Sequence, residues 1–102
     1  MRFLPHEHAA VTAALQAHGV DARSVLFVKR RGRLHIELPG RAGAFVFFRR
    51  KSTTLDAQGK WQDRVDYFIG NTKAEGLGCT WDVVLQAFTG WLKGTDGTTG
   101  FA

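Results

Sequence analysis

The chain has 102 residues, 44% hydrophobic and 23% charged, with 14 Lys and Arg against 9 Asp and Glu. That length makes one domain with a core of its own, and the composition is that of an ordinary soluble globule rather than a fibrous or disordered chain. Cys79 is the only cysteine, which excludes an internal disulfide and a cysteine-only metal cage and suits a reducing cytoplasm; the short apolar runs and the start of the chain give no sign of a helical membrane span or an export signal.

The first predicted element is a helix from about Pro5 to His18. Proline fits a first helical turn, Glu7 complements the dipole, and the stretch Ala9 to Ala17 has high helix propensity. Leu4, His8, Val11, Leu15 and His18 step by four and three onto one face, and Gly19 stops the helix.

Val25 to Val28 is a short strand-type run. Arg31-Gly32 can turn the chain, and Arg33 to Leu38 then alternates: Leu34, Ile36 and Leu38 one way, Arg33, His35 and Glu37 the other. A two-residue turn puts Val25 and Phe27 on the face of Ile36 and Leu38; a three-residue turn swaps the faces of the first strand. Residues 39–43 make a second turn. Ala44 to Arg50 is a third strand, with Ser52-Thr53-Thr54 as a possible extension.

Asp56-Ala57-Gln58-Gly59 is a turn cluster, and Val65 to Gly70 alternates as a fourth strand. A loop from Asn71 to Gly78 leads to a second helix, Trp81 to Lys93, with Thr80 as cap and Asp82 complementing the dipole. Trp81, Val84, Leu85, Phe88 and Leu92 form its apolar stripe, opposite Asp82, Gln86, Thr89 and Lys93. The expected fold is α+β: a four-stranded antiparallel meander in the order α-β-β-β-β-α, both helices on one face, in a single domain over residues 1–94. The small polar tail 95–102 is expected to be disordered.

This order resembles the double-stranded RNA-binding domain, in the sequence of elements alone. That family grips phosphates with a lysine cluster at the start of its last helix. Here the same place reads Gly78-Cys79-Thr80-Trp81-Asp82, with no cation until Lys93, and a fourth strand precedes the helix.

The charge is concentrated. Residues 1–51 carry ten Lys or Arg against Glu7, Asp21 and Glu37, a net of +7; residues 52–102 carry Lys60, Arg64, Lys73 and Lys93 against six acids, a net of −2. Eight of the cations fall between Lys29 and Lys51, threaded through the strands. A local patch of this kind attracts a polyanion more effectively than spread charge. Alternation puts Arg33, His35 and one of the Arg49/Arg50 pair on one face. The expected function is a small basic binding module for nucleic acid or another polyanion. Arg31, Arg33, Arg49, Arg50 and Lys51 are the candidate phosphate contacts, and Trp61 is a candidate stacking platform.

A second reading has the open sheet face or an edge pairing with another copy or with an acidic protein. A third is a small ribonuclease built on His35, Arg33, Arg49 and Tyr67, with a base activating a 2′-hydroxyl and cations stabilising the transition state. No cofactor is implied. His6 and His8 point in different directions on a helix, and His8 and His18 lie about 15 Å apart on theirs, so a metal site is not expected. Cys79 follows Gly76-Leu77-Gly78 at a helix N-terminus, where free N–H groups can lower a thiol's pKa; a small buried cysteine beside a threonine cap is the alternative.

Overall fold

Glu7, not the histidines, sets the inward face of the first helix, α1 (Pro5–Ala17). In the computed structural model, which describes residues 2–70 and 78–94, Glu7, Val11 and Leu15 are the buried residues of α1, at i, i+4 and i+8, while His8 and His18 are exposed. The expected stripe is thus rotated. A carboxylate takes a core position only because it finds charged and hydrogen-bonding partners there. His8 instead lies against the Phe27 ring, centroids 5.0 Å apart.

A short 3-10 turn, Ala22–Ser24, follows; Asp21 Oδ1 accepts from the Arg23 N–H at 2.9 Å to start it. The four strands β1 (Leu26–Arg30), β2 (Arg33–Glu37), β3 (Phe45–Leu55) and β4 (Trp61–Ile69) form one antiparallel sheet in sequential order. Arg30 pairs with Arg33, so the first turn is the two-residue one. Arg31 and Gly32, at φ 53° and 73°, adopt the two left-handed conformations that a tight hairpin requires. Phe27 therefore pairs with Ile36 on the core face.

The third hairpin is longer than the alternation suggests. β3 runs on to Leu55 and β4 begins at Trp61, four residues before Val65. Asp56 closes it: its carboxylate accepts from the N–H groups of Gln58 and Lys60, both at 2.9 Å, and from Gln62 Nε2 at 3.0 Å. The backbone contact with Lys60, then that with the Gln62 side chain, holds the Asp56 pKa below the usual carboxylate value. β2 reaches only to the level of Phe48, so beyond it β3 and β4 form a two-stranded arm with exposed side chains.

The second helix, α2 (Trp81–Lys93), has the expected bounds. Its buried residues are Val84, Phe88 and Trp91, and Trp91 was not in the expected stripe. Phe88 and Trp91 both pack on Phe45, with centroids 5.3 and 6.0 Å away. Thr80 makes no side-chain cap bond; Gly94, at φ 69°, ends the helix. Both helices lie on the same sheet face, over Leu34, Ile36, Phe45, Phe47 and Tyr67. Before α2, Cys79 pairs with Tyr67 along the outer edge of β4 through reciprocal backbone bonds of 2.9 and 2.8 Å. The expected loop at 71–77 and the tail from 95 lie outside the described residues. Among the described residues no helix is long and apolar enough to cross a membrane.

Candidate nucleic-acid interface

The sheet face away from the helices is built by alternation. Arg30 pairs with Arg33, Leu34 pairs with Phe47, and Phe48 pairs with Phe68. Arg30, Arg33, Phe48 and Phe68 therefore make one row across all four strands. The next rows, toward the arm, are Arg50 with Asp66 and Ser52 with Arg64.

Phe48 and Phe68 stack nearly parallel, with centroids 5.1 Å apart and planes 15° from each other. The guanidinium of Arg33 lies 4.5 Å from the Phe48 centroid, and that of Arg50 lies 5.2 Å from the Phe68 centroid. Both rings are buried, so the arginines rather than the aromatics meet solvent here. Each guanidinium is also held from the side, Arg33 Nη1 by the Arg31 carbonyl at 3.2 Å and Arg50 Nη2 by Asp66, so both planar cations are fixed over their rings. Asp66 is buried between two cations, with Arg64 Nε at 3.1 Å and Arg50 Nη2 at 3.8 Å, which holds both arginines in place. Arg30 reaches Glu37 at 3.6 Å. His35 sits one row away; burial, then the nearby Arg30, lowers its pKa below the ordinary imidazole value despite Glu37.

The candidate residues distribute unevenly over this frame. Arg33 and Arg50 lie together on the open face, and Arg31 is exposed at the adjoining turn. Lys51 and Trp61 are exposed on the arm, but on its other face, by the pairings Lys51 with Val65 and Leu55 with Trp61. Arg49 points inward: its side chain is 8% exposed and its Nη1 donates to Glu7 Oε1 at 2.7 Å. As the neighbour of Arg50 in a strand it must take the opposite face, and that face is covered by α1. Two residues of the open face were missed, Arg30 and Arg64. Arg64 would have been found by extending the alternation of Asp66 and Phe68 two residues back; Arg30 follows from the two-residue turn.

Arg41 also leaves the cationic group. Its Nη1 donates to the Trp91 carbonyl at 2.5 Å and its guanidinium lies 4.8 Å from the Trp91 ring, so it caps the C-terminal end of α2, where the dipole favours a cation.

On the helix side, Glu7 is fully buried and gathers three donors: Arg49, the Tyr67 hydroxyl at 2.6 Å and the Leu4 N–H at 2.8 Å. Arg49 also donates to the Arg2 carbonyl. Burial first, then Glu7, raises the Tyr67 pKa well above its ordinary value, so the phenol stays protonated. His6 Nε2 lies 3.5 Å from the same hydroxyl. The four residues of the ribonuclease reading thus stand on two sides of the sheet: Arg33 and His35 on the open face, Arg49 and Tyr67 under α1. Cys79 is half-buried, and burial raises its thiol pKa rather than the helix N-terminus lowering it. Among the described residues no three His, Cys, Asp or Glu side chains converge on a common point.

No family model, curated protein or solved structure matches this chain.

Proposed function

We propose that this protein binds nucleic acid through the open face of its sheet, with Arg30, Arg33, Arg50 and Arg64 contacting phosphates and Arg31 at the rim. The observation that carries the reading is the pair of guanidiniums, Arg33 and Arg50, stacked on the Phe48–Phe68 pair. A planar cation fixed before binding loses less side-chain entropy when it closes on a phosphate. The acids on this face, Glu37 and Asp66, each stand against an arginine. Contacts of this type set register and affinity and carry no base sequence of their own. A reducing cytoplasm, which the unpaired Cys79 suits, is the compartment of this reading.

Titration of a labelled oligonucleotide at about 50 and 200 mM salt tests it. Neutralising four or five phosphates of a duplex gives a log–log slope of about −4, so affinity falls by roughly two to three orders of magnitude over that range. Absence of binding to single- and double-stranded DNA and RNA at the lower salt overturns it.

A further inference from the structure

The arm extends the proposed interface rather than merely projecting from it. Beyond the Phe48–Phe68 row its outward face carries Ser52, Thr54, Gln62 and Arg64, continuous with Arg33 and Arg50. Each of these side chains can donate or accept a hydrogen bond at a base edge, and the two acids beside them, Asp56 against Gln62 and Asp66 against Arg64, are each engaged by a side-chain hydrogen bond. The opposite face differs: Leu55 and Trp61, 57% and 70% exposed, are followed by Thr53 with Asp63, whose carboxylate repels phosphate. The arm's five β3 residues, 51–55, span about 17 Å as a strand, and two strands lie about 4.8 Å apart. B-form DNA has a major groove about 12 Å wide that admits a two-stranded ribbon, whereas the major groove of an RNA helix is deep and too narrow for one.

We infer that the ligand is double-stranded DNA, with the arm lying along the major groove and Ser52, Thr54, Gln62 and Arg64 facing the base edges while the body holds the flanking phosphates. Asp56 fixes Gln62 for this, at 3.0 Å, and Asp66 fixes Arg64, at 3.1 Å. The inference rests on the nucleic-acid reading and adds the class of ligand to it.

The test is anisotropy titration of the full chain, at one low salt concentration, with a mixed-sequence DNA duplex, the matching RNA duplex and one DNA strand alone. The DNA duplex binds at least about tenfold more tightly than either of the others. Thr54→Asp/Gln62→Glu, two changes at exposed positions, removes that preference and weakens the DNA duplex at least tenfold, with less than about threefold change for the RNA duplex. Replacing residues 53–63 by Asn-Gly, with the remaining fold checked by circular dichroism, removes the preference while the salt dependence persists. Equal affinity for all three ligands overturns the arm's role and leaves the phosphate surface standing, as does tighter binding of the RNA duplex or the single strand, or a preference that survives in Thr54→Asp/Gln62→Glu. No binding to any of the three overturns both.

Discussion

Arg49 and Arg50 are consecutive residues of one strand and do opposite things: the first is buried against Glu7 at 2.7 Å, and the second lies 5.2 Å over the Phe68 ring on the far side of the sheet. A charge cluster read along the chain counts both as surface cations. The pleat separates them, because consecutive side chains of a strand point to opposite faces.

Arg49→Ala therefore acts on stability. It leaves the Glu7 carboxylate buried without its cation, a loss of about 3–5 kcal/mol for one partner of a buried pair. Thermal unfolding should show a large fall in Tm. Arg50→Ala uncovers the Phe68 ring but leaves Asp66 its closer partner Arg64, and Arg50 itself is half-exposed, so it costs less than Arg49→Ala, about 1 kcal/mol.

Tyr67→Phe removes one donor from Glu7 and leaves two. The expected cost is about 1–3 kcal/mol. Because the folded protein raises the Tyr67 pKa, the native state holds that proton where the unfolded chain has lost it. Stability from this group is complete below an unfolded value of about 10 and declines as pH rises above it. Urea titrations between pH 8 and 11 should show an alkaline loss in the native chain that is smaller in Tyr67→Phe.

His35 works in the other direction. Its folded pKa is lowered, so below the unfolded value of about 6.5 the unfolded chain binds more protons and stability falls as pH drops. His35→Gln should flatten the pH dependence of Tm between about pH 7.5 and 5.5. In the proposed complex a nearby phosphate favours the imidazolium, so binding takes up a proton and tightens as pH falls through the same window. Isothermal titration in buffers of different ionisation enthalpy reads that uptake directly.

Gly78→Ala tests the edge pairing that leads into α2. A methyl at Gly78 would stand 2.4 Å from the Tyr67 carbonyl oxygen and 2.9 Å from Asp66 Cβ, so the backbone must shift. The cost expected of overpacking is about 1–3 kcal/mol. Hydrogen exchange at the Cys79 and Tyr67 amides should speed up more than exchange in β2.

Much of the fold was legible in local patterns. Alternation over Arg33 to Leu38, the Arg31-Gly32 turn and the 3.6-residue stripe of α2 each depend on near neighbours, and the meander with both helices on one face follows from them. What local patterns missed depends on distant partners. Glu7 is inside only because Arg49 and Tyr67 meet it across 42 and 60 residues. The arm runs beyond the expected strands because its exposed ends, with polar residues on both faces, carry no apolar alternation to mark them. Of the site, the identity of Arg33 and Arg50 as a pair was accessible once one face was chosen; that they share a stacked phenylalanine pair required the β3–β4 register.

The central claim is that the stacked guanidiniums of the open face hold phosphate, and titration of Arg33→Ala/Arg50→Ala beside the native chain over a range of salt tests it most directly. Each lost phosphate contact lowers the magnitude of the log–log salt slope by about one. The double variant should therefore bind more weakly at low salt with a slope about two units shallower, and with its fold intact by circular dichroism. A folded double variant with unchanged affinity and slope would contradict the claim.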